Sequence, residues 1–175
     1  MKKSLPFWQF SGFVFTGVFG TLLHFIYEWT NITATALFSA VNESVFEHMK
    51  ILFFPMLIFA IIESRYFYKD YPAFWCVKLI GILIGLAVIP MLYYTYTGAL
   101  GVSADWFNIA IFFIAAAVTY ITETALLKSK KYCSLPTATS FIILLGLAVL
   151  FLVLTFVPPK IPLFQDPVTK LYGIV

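Results

Sequence analysis

Long apolar runs, separated by short polar breaks, organise this chain. A bilayer span takes about 20 mainly apolar residues, and five runs reach that length: residues 7–28, 43–66, 73–96, 105–127 and 137–157. The breaks carry loop chemistry, with Thr30-Asn31, Asp70-Tyr71-Pro72, the glycine-containing stretch 98–103, Ser134 to Pro136, and Pro158-Pro159. The pattern predicts an all-α fold, a polytopic bundle of five transmembrane helices. The apolar stretch 7–27 is longer than the roughly 7–15 residues of a secretory signal core, so it reads as the first span. No internal repeat is visible, and an odd number of spans argues against a simple inverted duplication. One transmembrane domain then covers residues 1–157. Residues 158–175 form a proline-rich extracytoplasmic tail with a stiff, extended segment, long enough to fold back over the outer cluster as a lid, with a simple flexible tail as the equal alternative.

Composition agrees. Of 175 residues, 62% are hydrophobic and 11% charged, against about 25% charged in a soluble domain. The expected surroundings are a lipid bilayer. The net charge of +3 has no basic tract behind it, which excludes nucleic acid as a partner. No nucleotide-binding glycine loop and no nucleophile elbow is present.

Lysine and arginine set the expected orientation, since cytoplasmic loops carry their excess. Lys2 and Lys3 precede the first span, Arg65 and Lys69 follow the second, Lys78 lies just inside the third, and Lys128, Lys130 and Lys131 follow the fourth. The loops after the first and third spans have neither residue type. The N-terminus is therefore expected in the cytoplasm and the C-terminus outside, with Lys160 and Lys170 as exceptions in the tail. Trp8, Tyr66 and Trp75 fit an inner aromatic belt; Trp29, Tyr93, Tyr94 and Trp106 fit an outer one. Cys76 and Cys133 then fall on the reducing side and are expected as free thiols. Their separation does not match a zinc motif.

Residues 42–50, Asn-Glu-Ser-Val-Phe-Glu-His-Met-Lys, break the apolar rule at the start of the second span. A charge in lipid costs roughly 2.5–3.5 kcal/mol, so these groups must be sheltered or used. Counted from Arg65 at 1.5 Å per residue, Lys50 lies about 22 Å and Glu47 about 27 Å away, near the outer rim of the bilayer. Asn42 reads as the N-cap and Glu43 as a first-turn acid. The first span carries Gly12, Thr16, Gly20, His24 and Glu28 at every fourth position, a stripe that drifts by about 40° per step. Its small residues permit close helix approach, and His24 and Glu28 sit at its outer end. A short outer loop joins the two spans, so His24, Glu28, Glu43, Glu47 and His48 are expected to converge.

Two imidazoles and several carboxylates suit a divalent transition metal such as zinc, manganese or iron. The candidate metal ligands are His24, Glu28, Glu47 and His48, with Glu43 or Glu47 as a candidate catalytic group acting on a metal-bound water. Glu47 and His48 are adjacent and point about 100° apart, which works against both reaching one ion. In a pocket for an ion or small polar solute, the candidate binding residues are Asn42, Glu43, Glu47, Lys50 and Asp105, which opens the fourth span. In a purely structural network, Lys50 pairs with Glu47 at i+3. Glu63 and Glu123, near the inner ends of their spans, are expected to snorkel or to pair with Arg65 and Lys128. Pro55 and Pro90 are expected to kink their helices. Gly81 and Gly85 form a small-x-x-x-small pair for packing.

The motifs His24-Phe25-Ile26-Tyr27-Glu28-Trp29, Ala36-Leu37-Phe38-Ser39 and Asn42 through Lys50, with Asp166-Pro167 and Tyr172-Gly173 in the tail, resemble a family of small bacterial multi-pass membrane proteins, a domain of unknown function. The resemblance implies a bacterial cytoplasmic membrane and brings no activity with it. Three functions stay open on the residues: an outward-facing His/Glu pocket for an ion or small polar solute, in a transporter or receptor component; a membrane-embedded, hydrolase-like enzyme using a His/Glu-bound divalent metal; and a structural subunit among other membrane subunits.

Overall fold

The computed structural model describes residues 4–129 and 133–174. Lys2, Lys3, Lys130 and Lys131, which carry part of the orientation argument, lie outside the described residues. The chain forms α1 (Leu5–Thr30), a short α2 (Thr33–Ala36), α3 (Val45–Phe67), α4 (Phe74–Leu100), α5 (Asp105–Ser129) and α6 (Thr137–Phe156), followed by a 3-10 turn at Pro162–Phe164. Among the described residues there is no strand, only one isolated bridge between Gln165 and Tyr172. The five long helices are apolar enough to cross a membrane, as the hydrophobic pattern predicts.

The most buried of the five is α3, which packs on α1, α4, α5 and α6. Its start is fixed by Ser44, whose side chain accepts from the Glu47 N–H, satisfying one of the donors a helix N-terminus leaves free. Asn42 is not the cap. Its Oδ1 accepts from Ser44 N–H at 2.9 Å, so it holds the cap residue rather than the helix, and Glu43 lies before the first turn instead of inside it. Pro55 and Pro90 do lie inside α3 and α4.

Small residues let the helices close up. A side chain at Gly12 would meet the rings of Tyr120 and Phe59, and one at Gly20 would meet Phe112 and the Ile51 carbonyl. Thr16 and Tyr120 share a hydrogen bond of 2.8 Å across this seam. On the other side Thr119 donates to the Gly81 carbonyl at 3.1 Å and fills the space beside Gly85, joining α5 to α4. Trp8 rests on Tyr66 with ring centroids 4.5 Å apart.

The tail folds back onto the loop before α3. Phe164 packs on Phe46 at 4.4 Å between centroids. Asn42 Nδ2 donates to the Gly173 carbonyl at 2.7 Å. The buried Asp166 takes the Glu43 N–H on Oδ2 at 3.2 Å and the Val168 and Thr169 N–H groups on Oδ1.

Two expectations are corrected here. Cys76 and Cys133 are joined as a disulfide, with Cα atoms 5.8 Å apart, a separation a bridge can span. The expectation of free thiols rested on compartment alone, while packing of α6 on α4 brings the two positions together. Glu63 and Glu123 do not pair with Arg65 and Lys128. Both are buried and share Lys78, because Lys78 lies at their depth on α4 and points inward.

Candidate functional site

Three segments converge at one end of the bundle. His24 comes from α1 about two turns before its end, Glu43 from the loop, and His48 from the first turn of α3. One ligand atom from each lies within 4.8 Å of the others. His24 Nε2 is 3.6 Å from Glu43 Oε1, and His48 Nε2 is 3.8 Å from Glu43 Oε2. In a tetrahedral site with metal–ligand distances of about 2.0–2.1 Å, donor atoms stand about 3.3 Å apart. The two His–Glu separations exceed this by a few tenths of an ångström, on different oxygens of Glu43, and with all three donors bounded by 4.8 Å the trio would have to close by up to about 1.5 Å to hold an ion.

The local hydrogen bonds prepare these donors. His48 Nδ1 lies 3.0 Å from the Ser44 carbonyl. A carbonyl only accepts, so Nδ1 carries a proton, and in the neutral ring Nε2 presents a lone pair. This is how outer-shell partners usually orient a metal-binding imidazole. His24 Nδ1 is buried without a hydrogen-bond partner. Glu43 is held at its backbone by Asp166, while its side chain is half exposed.

The trio opens onto a cavity of about 320 Å³ lined by Gly20, Thr21, Phe25, Ile51, Phe112 and Asn108, with both imidazoles in its wall. A smaller pocket on the other side is lined by Glu43, His48, Tyr93 and Asn108. Asn108 borders both. Its side chain is positioned by the Tyr96 hydroxyl and by Ser103. A lone Asn in an apolar helix has no partner pattern in the sequence, and nothing in the spacing marks it as a site residue.

Of the expected metal ligands, His24 and His48 meet, but Glu28 and Glu47 do not join them. Glu28 is exposed one turn beyond His24, carried off the stripe by its drift. Glu47 points into the protein. Its Oε2 is 2.6 Å from Lys50 Nζ and accepts the Val41 N–H at 3.1 Å. The 100° offset between adjacent helical positions sends His48 toward α1 and Glu47 inward, and Glu43 supplies the carboxylate from the loop. Lys50 is fully buried, donating also to the Ala36 carbonyl and to Thr155 Oγ1, each at 3.0 Å. Asn42 spends its amide on Ser44 and Gly173. Asp105 stands exposed at the start of α5 and lines neither cavity. Of the five expected solute-binding residues, then, Glu43 alone faces either cavity, and it lines the smaller one.

No curated protein and no solved structure matches the chain. A family match does cover residues 1–174, under the description "Family of unknown function (DUF6512)". It takes in every helix, the convergent His24, Glu43 and His48 and the tail that holds them, and the chain belongs to the DUF6512 family.

Proposed function

We propose that this protein is a membrane protein that binds a divalent transition-metal ion through His24, Glu43 and His48. The observation that supports it is the meeting of two imidazoles and one carboxylate from three separate segments, all within 4.8 Å, with His48 Nε2 left free by the bond from Nδ1 to Ser44. On the expectation that this end of the bundle faces outward, such a site would suit an ion-binding transporter or receptor component. Two nitrogens and one carboxylate fit zinc, manganese or iron.

The test is metal analysis of the purified chain after equilibration with zinc, manganese or iron(II). The expected result is one ion per chain, lost in His24→Ala, His48→Ala and Glu43→Gln, and retained in Glu28→Gln. Absence of stoichiometric binding for all three metals, or binding indifferent to these substitutions, would overturn the proposal.

A second reading is hydrolase-like. Three protein ligands leave an open coordination position, the pattern of catalytic rather than structural zinc, and here the trio borders a cavity with Asn108 in its wall. When bound, the metal would supply an acidified water. Glu47 is held against Lys50 and Glu43 is itself one of the three ligands, so neither is left for the base role expected of them. Metal-dependent ester or amide hydrolysis, abolished by His48→Ala, would favour this reading over simple ion binding.

A further inference from the structure

At the other end of the bundle, four helices contribute to a second polar cluster. Gln9 of α1, Glu63 of α3, Lys78 of α4 and Glu123 of α5 are each at most 3% exposed. Lys78 Nζ lies 2.5 Å from Glu63 Oε2 and 2.5 Å from Glu123 Oε2. Gln9 Nε2 donates to Glu63 Oε1 at 2.7 Å. The ammonium is further enclosed by the rings of Phe74 and Tyr120, 5.4 and 5.5 Å away.

The charges do not balance. One ammonium faces two carboxylates, so the fully ionised cluster carries a net negative charge out of contact with water. A buried uncompensated charge is removed by proton uptake rather than tolerated. The other ionisable groups nearby do not cancel it. Tyr120 is neutral and engaged with Thr16, Arg65 is exposed, and Lys128 lies farther out on the wall of a cavity. That cavity, about 600 Å³ between α1 and α5, is also lined by Gln9 and Tyr120. Gln9 thus stands between it and the carboxylates, and its Oε1 is buried with no hydrogen-bond partner.

We infer that this cluster is a proton-binding site, in which Glu63 and Glu123 hold one proton between them and exchange it through the cavity past Gln9. His48 and Glu63 are about 22 Å apart along α3, and the inference does not rest on the metal site.

The experiment is infrared spectroscopy of the protein in lipid vesicles at neutral pH. The expected signal is the carbonyl stretch of one protonated carboxylic acid, shifting down in D2O and fading as the pH is raised. Making either acid permanently neutral removes the need for the proton, so the band should vanish in Glu63→Gln and equally in Glu123→Gln. The native protein alone can refute the inference, by showing no protonated-acid band or one that D2O leaves unmoved. A band that survives both substitutions would refute it as well.

Discussion

Replacing Lys50 with Met separates a structural charge pair from a functional one. The substitution keeps the length of the stem and deletes the ammonium. Lys50 is 0% exposed and Glu47 is 2% exposed, so no water takes its place. Glu47 would keep one donor, the Val41 N–H at 3.1 Å, after losing a partner at 2.6 Å. The Ala36 carbonyl and Thr155 hydroxyl would each lose a donor at 3.0 Å. Removing one member of a buried pair costs about 3–5 kcal/mol, mostly because the remaining charge stays buried. That range already includes the cost of leaving the neighbouring acceptors unpaired. In Lys50→Met/Glu47→Gln no charge remains, so much of the loss should return, with a coupling energy of about 2–3 kcal/mol in the double-mutant cycle. Reversible unfolding in mixed micelles, followed by tryptophan fluorescence, measures all four corners. Folded Lys50→Met should still bind metal with the stoichiometry of the parent. A loss below about 1 kcal/mol together with loss of metal binding would refute the reasoning, and would return Glu47 and Lys50 to the site.

Two more predictions concern the scaffold. Gly12→Ala places a Cβ 2.5 Å from Tyr120 and 2.7 Å from Phe59, an overpacking that should cost about 1–3 kcal/mol. Gly98→Ala, in the open last turns of α4 with nothing within 4 Å, should be neutral or slightly stabilising in the same unfolding assay. Asp166→Ala releases the Glu43 backbone without touching a donor atom. Chelator competition should show metal affinity reduced about 10–100-fold, the usual effect of losing an outer-shell support, at unchanged stoichiometry, and unaltered affinity would mean that the tail does not position Glu43.

The five spans were legible because apolar length is a one-dimensional signal, and each helix begins and ends within a few residues of its run. The Glu47–Lys50 pair was legible for a similar reason, as i+3 neighbours share a helix face. The convergence of His24 and His48 followed from depth along two spans joined by a short loop. What stayed hidden depended on direction around an axis or on contacts remote in sequence. Glu43 replaces Glu28 and Glu47 because a loop held by Asp166, more than a hundred residues away, sets its position. Lys78 could have been matched to Glu63 and Glu123 by counting, since all three lie within about two turns of the same end of the bundle. Expecting each acid to pair with a nearby basic residue on its own helix obscured that match.

Charge balance and closure, taken together, tell the three polar clusters apart. Intramembrane charges are functional by default, yet the Glu47–Lys50 pair is both neutral and sealed. The ammonium is spent on Glu47, Ala36 and Thr155 and Glu47 Oε2 also takes the Val41 N–H, and the effect is to tie α3 to α6. The Lys78 cluster is buried but unbalanced, with Gln9 between it and a cavity, an arrangement that suits a proton and no larger guest. In the His24–Glu43–His48 trio, both imidazoles line one cavity and Glu43 and His48 line another; His48 Nε2 is left free by the bond from Nδ1, and His24 Nδ1, the nitrogen other than the one facing Glu43, is buried without a partner. A network that served only to lock helices together would have used those atoms on neighbouring donors, as Lys50 uses each of its three. Unspent donor capacity beside an accessible space is the observation that favours a ligand site over helix glue at this end of the bundle.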